Sequence, residues 1–318
     1  MIISASRRTD IPAFYSEWFM NRLREKKVVI QGPKTKGKYT EISLDPEVVD
    51  CIVFWTKNPS PLIPHLKEID ERGYPYYFQF TLNPYPTHIE PHLPTKKQLV
   101  DVFRNLSIRI GMEKVIWRYD PIILTPDHPI SYHVKTFEDM VKVLGKYTSR
   151  CVVSFLDTYE SNRQALSELG SEFIDSDSRF ILAREFSQIA QTYGLELYSC
   201  SEAENWENLK ISHGACIDPQ LISRISAPLK IKKDPNQRPG CRCAESIDIG
   251  AYESCSHGCI YCYANHSLEG VLRHREAHDP KSPLLIGWPK QEDQVIIKEI
   301  VSKKEKQMSL FKNKNEPL

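Results

Sequence analysis

Short apolar runs recur along the chain, each followed by a polar cluster and then by apolar residues at helical spacing. That alternation is the pattern of β/α units built on a parallel sheet. Strands are expected at residues 2–5, 51–55, 76–82, 114–119, 151–156 and 195–199, with a further one at 246–251. Helices are expected between them, near 60–72, 95–111, 134–147 and 177–193, and at 14–24, where Phe14, Trp18 and Leu23 recur at helical spacing with Phe19 alongside. Residues 28–31 and 39–44, split by a Gly- and Pro-containing stretch, read as an inserted hairpin. After a helix-like stretch at 266–278 and an extended run at 280–289, residues 291–306 are charged, with a helical reading.

Polar residues follow each strand at its C-terminal end: Ser6-Arg7-Arg8-Thr9-Asp10, Thr56-Lys57-Asn58, Gln79 with Thr81 and Asn83, Arg118 with Asp120, Ser154 with Asp157, and Cys200-Ser201-Glu202. A (β/α) barrel, TIM-like or partial, collects such loops on one rim, where barrel enzymes place their sites. Arg7, Asp10, Lys57, Gln79, Arg118, Asp120 and Glu202 are candidate catalytic residues on that ground. Polar residues also end strands merely to cap them or to meet water. Arg118 and Asp120 flank an apolar run, and charges so near a core need partners.

The expected fold class is therefore α/β. At 318 residues and 41% hydrophobic content, the chain can fill one barrel-sized domain or two ordinary ones. Residues 1–200 form the expected barrel core, carrying the hairpin near 28–44; 201–289 form a cysteine-rich segment that completes it, and 290–318 a charged tail. A formal net charge of +1 argues against a strongly basic nucleic-acid surface but leaves room for a local stripe. The stretch from Lys230 to Arg242 is such a stripe, either a solvated linker or a loop able to hold phosphates. The opening Met1-Ile-Ile-Ser is too short for a signal peptide and no run approaches a membrane span, so a cytoplasmic protein without a membrane partner is expected.

Nine cysteines, an odd number, point in a reducing compartment to metal rather than to disulfides. Cys51 and Cys151 lie inside apolar strand runs and are expected to be buried and unliganded. Three others stand in Cys255-Ser-His-Gly-Cys259-Ile-Tyr-Cys262. Soft thiolates select zinc or iron–sulfur clusters. Structural zinc is normally closed by four residues, for which His257 or Cys243 is at hand, whereas an iron–sulfur cube can be held by three cysteines with one iron open. The remaining Cys200, Cys216, Cys241 and Cys243 make a full tetrathiolate set for a second site, an auxiliary 4Fe–4S cluster or a zinc ion.

The spacing of Cys255, Cys259 and Cys262, with Tyr261 before the last, resembles the signature of the radical S-adenosylmethionine (SAM) enzymes. The resemblance implies a 4Fe–4S cluster on those cysteines, SAM on its fourth iron, Tyr261 against the adenine, a 5'-deoxyadenosyl radical, and an electron donor such as flavodoxin or ferredoxin. In those enzymes the cluster loop follows the first strand of a full or partial barrel. Here it follows the last expected strand, which implies a circular permutation of that fold. No Gly-Gly-Glu run is present to bind the SAM amino group. From Ile3-Ser-Ala-Ser-Arg-Arg-Thr-Asp10 through Phe54-Trp-Thr-Lys-Asn-Pro59 and Trp117-Arg-Tyr-Asp-Pro121 to the cysteine loop, the chain also resembles an uncharacterised bacterial family, a domain of unknown function (number eighteen forty-eight).

Near the C-terminus, Gln307-Met-Ser-Leu-Phe311 resembles the bacterial sliding-clamp-binding motif. That implies Leu310 and Phe311 in an apolar pocket of a clamp with Gln307 at its edge; the alternative is that the two apolar residues pack back on the barrel. Together the resemblances imply a radical-SAM-like enzyme acting on DNA or a nucleobase in a repair-type role, by analogy with spore photoproduct lyase. Two rivals stand beside it: a zinc-stabilised nucleic-acid-associated binding barrel without radical chemistry, and a hydrolase using Asp120, Asp157 and Glu202 as acid and base.

Overall fold

A computed structural model describes residues 1–32, 37–171, 173–238 and 240–305. In chain order its strands are β1 (Ile2–Ala5), β2 (Lys27–Gln31), β3 (Lys38–Ser43), β4 (Cys51–Thr56), β5 (Tyr76–Thr81), β6 (Val115–Ile122), β7 (Arg150–Phe155), β8 (Glu196–Ser199), β9 (Ile211–His213), β10 (Ile247–Asp248) and β11 (Gln294–Lys298). The α-helices are α1 (Ile11–Phe14), α2 (Ser16–Arg24), α3 (Leu66–Glu71), α4 (Lys96–Ile110), α5 (Ile130–Leu144), α6 (Arg163–Glu168), α7 (Ser176–Thr192), α8 (Pro219–Ile225) and α9 (Leu268–Ala277).

Eight strands form one sheet in the order β10-β1-β4-β5-β6-β7-β8-β9. Every recorded pairing within it is parallel. The α/β reading of the sequence therefore holds, with helices against a large parallel sheet. β1 and β7 are buried along their whole length, as strands covered on both faces must be. Between β6 and the helices that cover it, Phe137 of α5 stacks on Trp117 at 5.3 Å between centroids and on Phe186 of α7 at 4.0 Å. Cys51 and Cys151 are fully buried, as their apolar surroundings require.

The expected helix at 14–24 divides at Tyr15 into α1 and α2, because the Asp10 carboxylate caps a first turn that begins at Ile11-Pro12. Helix α5 starts earlier than its periodicity indicates, and α4 starts on a capping box in which Thr95 and Gln98 satisfy each other's backbone. The expected strand at 246–251 shortens to the two residues of β10, and β9 was not foreseen, since three residues carry no readable alternation. The helical reading of 291–306 is overturned. Val295, Ile296 and Ile297 are β-branched and stand in β11, which pairs in parallel with β3. The hairpin of β2 and β3 thereby becomes a three-stranded sheet. The chain then returns to the main body: Ser302 Oγ and Lys303 N donate to the buried Asp50 carboxylate at 2.6 and 2.9 Å. Gln307, Leu310 and Phe311 lie outside the described residues. No helix among the described residues is long and apolar enough to cross a membrane.

Removing the middle ring of the aromatic stack leaves a void that Trp117 and Phe186 cannot close from opposite sides. Phe137→Ala is expected to lower the unfolding free energy by about 3–5 kcal/mol in urea titration, and a loss below about 1 kcal/mol would show that this layer repacks freely.

Candidate functional site

The loop that carries Cys255, Cys259 and Cys262 leaves β10 beside the C-terminal end of β1. Asp248 fixes this exit, since its carboxylate accepts from Ser4 Oγ, Ser6 Oγ, the Arg7 amide and the Gly250 amide at 2.6–3.0 Å. Gly250 admits no side chain here, because a Cβ would fall 2.0 Å from Ser6 Oγ. Further on, Ile260 N donates to Ile89 O at 3.1 Å and His92 N to His257 O at 3.2 Å, while Asn162 Nδ2 and Asn265 Nδ2 hold the carbonyls of Tyr261 and Cys255. Gly258 turns with φ +69°, in the left-handed region, against Pro91 and His92.

All three cysteines of this loop are free, half-buried, and line one cavity of about 400 Å³ with Pro91, His92 and residues of α9. Burial pushes the Cys259 thiol up to about 12, against the pull of Lys57. The thiols of Cys255 and Cys259 lie within electrostatic range of Cys262, and the Cys262 amide donates to the Cys259 carbonyl at 3.0 Å. Among the described residues, no three His, Cys, Asp or Glu side chains already stand closely enough arranged to grip one ion.

Behind the loop sits a carboxylate that sequence reasoning missed. Glu90 is almost wholly buried, receives Lys57 Nζ at 2.8 Å, and also binds Lys96 and the Tyr261 hydroxyl. Burial alone would raise its pKa; Lys57 and Lys96 outweigh burial and hold it down at about 2. Burial works against the Lys57 ammonium, but Glu90, and then Cys259, keep its pKa raised. The Tyr261 ring lies 5.4 Å from Lys57 Nζ and 6.1 Å from the Tyr85 ring. Asp10 is a hub: its carboxylate caps α1 through the Ala13 amide, accepts from the Lys57 amide at 2.7 Å, and meets His257 Nε2 at 2.7 Å. Asp10, Lys57 and Tyr261 are thus brought together around the cysteine loop. The proline-flanked carboxylate in Ile89-Glu90-Pro91 was the one available signal for Glu90, and no periodicity picks it out.

Other predicted residues gather at the second cysteine group. Cys200 Sγ stands 3.2 Å from Cys216 Sγ, and Cys216, Cys241 and Cys243 share one buried cluster against which Cys200 packs. Arg118 Nη1 donates to Cys216 Sγ at 2.7 Å, while Gln79 Nε2 and Tyr77 Oη hold the Cys216 carbonyl at 2.8 and 2.6 Å. The Arg7 and Arg118 guanidinium groups lie 5.4 and 5.3 Å from the ring of Trp55, which sequence reasoning did not single out. The three carboxylates of the hydrolytic reading each pair with a different arginine: Asp120 with Arg118, Asp157 with Arg238, and Glu202 with Arg179. Burial raises Glu202 to about 7 although Phe155 N and Arg179 oppose it. In the basic stripe, Lys230, Lys232, Lys233, Arg238 and Arg242 are all exposed.

A parallel α/β protein with two cysteine groups at the C-terminal ends of its strands is the class that these features define. The chain matches, over residues 2–264, the family described as "Domain of unknown function (DUF1848)", and it belongs to that family. Both cysteine groups fall inside the matched span. No curated protein matches the chain.

Glu90→Gln removes the anion that Lys57 and Lys96 share, and is expected to cost about 3–5 kcal/mol of stability at neutral pH because a buried cation is left without its partner. Since the folded pKa is depressed, the contribution of Glu90 is complete above about 4.5, its unfolded value, and is lost as pH falls through about 2. Unfolding free energies measured across that window should fall more steeply in wild type than in Glu90→Gln; parallel curves would remove Glu90 from its assigned role.

Proposed function

We propose that Cys255, Cys259 and Cys262 hold a 4Fe–4S cluster with one open iron for SAM, and that the protein is a radical-SAM-type enzyme. The carrying observation is that the three cysteines, spaced C-x3-C-x2-C, line one cavity, while Cys243, the thiol available to close a four-cysteine site, is buried instead in the cluster that holds Cys216 and Cys241. Strand order supports the permuted-barrel reading. β10 pairs with β1 and occupies the edge of the sheet, so a loop after this last strand of the main sheet stands where a first-strand loop would in an unpermuted partial barrel.

Held by Cys255, Cys259 and Cys262, the cluster with SAM would supply radical chemistry for hydrogen abstraction from the substrate. The chain's own contribution is positional and electrostatic. Lys57 eases ionisation of the Cys259 thiol, Glu90 fixes Lys57, and Asp10 ties the loop after β4 to the cysteine loop through His257. An adenine against Tyr261 would share that ring with Lys57 and Tyr85. The proposal extends to a DNA or nucleobase substrate in the cytoplasm, a sliding-clamp partner reached through Gln307, Leu310 and Phe311, and reduction by a flavodoxin- or ferredoxin-class donor.

One observation favours a second reading. His257 Nδ1 is buried and has no hydrogen-bond partner among the described residues, while Asp10 holds the opposite ring nitrogen. A carboxylate on the far nitrogen is what orients a metal-binding histidine, so the loop could close a Cys3His zinc site in a binding protein without radical chemistry.

Wild type purified and reconstituted anaerobically with iron and sulfide is expected to absorb in the visible and, with SAM and a reductant, to release 5'-deoxyadenosine. The Cys255/Cys259/Cys262 triple alanine variant should lose both. Colourless wild type would end the proposal, and stoichiometric zinc that drops on His257→Ala would establish the second reading.

A further inference from the structure

The second cysteine group is drawn from three separate places: Cys200 at the end of β8, Cys216 just after β9, and Cys241 with Cys243 in the loop that precedes β10. Cys216, Cys241 and Cys243 are 2–7% exposed, and none of the four is in a disulfide. Cys200 Sγ and Cys216 Sγ stand 3.2 Å apart, and Cys216, Cys241 and Cys243 belong to one buried cluster with Cys200 packed against it. Four neutral thiols have little to gain from meeting in this way, because the S–H group is a weak donor and sulfur a weak acceptor.

The surroundings supply what a charged centre needs. Arg118 is buried, Asp120 neutralises it on one side, and it donates to Cys216 Sγ on the other. Arg7 lies within electrostatic range of Cys243 and Cys216, and its Nη2 is buried without a hydrogen-bond partner among the described residues. A backbone amide adds to this, with Ile217 N donating to Cys243 Sγ at 3.4 Å. Gln79, Tyr77 and Asp218 add a second layer: the first two hold the Cys216 carbonyl, and the Asp218 amide donates to Tyr77 Oη at 3.1 Å.

We propose that Cys200, Cys216, Cys241 and Cys243 bind one divalent ion of the zinc class as a closed tetrathiolate. Four thiolates around a dication carry two net negative charges, and Arg118 and Arg7 face them. The one sulfur spacing recorded, between Cys200 and Cys216, fits a shared single ion better than a second cube. Zinc–sulfur bonds of about 2.3 Å put tetrahedral sulfurs roughly 3.8 Å apart, so the 3.2 Å approach of Cys200 and Cys216 needs only a small opening to receive the ion. Cysteines that each hold a different iron of a cube stand farther apart than thiols in mutual contact. The ion would anchor the 241–243 loop to the ends of β8 and β9, and so steady the segment that leads through β10 into the other cysteine loop.

This assignment does not depend on what the Cys255 loop binds, and the Cys255/Cys259/Cys262 triple alanine variant separates the two. Loaded with cobalt(II) or zinc, that variant is expected to retain one metal equivalent per chain, with the sulfur-to-cobalt charge-transfer absorption of a four-thiolate tetrahedral site. Adding Cys216→Ser should remove the equivalent, or reduce the charge transfer to that of three thiolates. If the combined variant does not fold, the cobalt spectrum of the triple variant decides alone. Iron with sulfide in the triple variant, or no retained metal with all four thiols open to alkylation in the folded protein, would overturn the proposal.

Discussion

The architecture depends on the contact between β10 and β1. A two-residue strand offers too short a ladder to hold an edge by backbone pairing alone. What holds it is the Asp248 carboxylate, which accepts from two serine hydroxyls and two backbone amides at once. Bonds to an ionised acceptor are stronger than neutral ones. Because the donors Ser4, Ser6 and Arg7 lie more than 240 residues earlier, this carboxylate joins the two ends of the matched span and delivers the cysteine loop to the same end of the sheet as the turn after β1.

Buried charge does the rest of the positioning. Ion pairs such as Lys57 with Glu90 and Arg150 with Asp218 are poor sources of net stability, since desolvation offsets most of the attraction. Their consequence here is geometric. Lys57 reaches Glu90 through its ammonium and Asp10 through its amide, so the loops after β1, β4 and β5 are tied into one support for the cysteine loop. Arg118 does the same at the other group, spanning Asp120, Gln79 and Cys216. The C-terminal end of the sheet thus divides into two polar neighbourhoods, each built around thiols and each with its own buried cation.

Much of this was legible in the chain. The periodicity located the six longer strands of the main sheet and the helices that cover them, because each carries enough apolar residues for its period to show. It was silent on β9 and misread β11, where a β-branched triplet set among charges looked helical until β3 supplied a partner. The division of the cysteines was legible too. Cys51 and Cys151 were marked by their apolar neighbours, and subtracting them and the triad left four that pack together in one buried cluster.

By itself, then, the sequence determined the β/α alternation, the spacing of the cysteine triad and the identity of the strand-end residues, since all of these are local and are written in neighbouring positions. Tertiary structure alone decided that Glu90 stands under Lys57 and Tyr261, that Asp10 is matched to His257, that Arg7 and Arg118 flank Trp55, and that β10 is the neighbour of β1. Each of those pairings joins residues far apart in the chain through the burial of charge or of a ring. Sequence gives the need for a partner there, but only the folded sheet chooses which one.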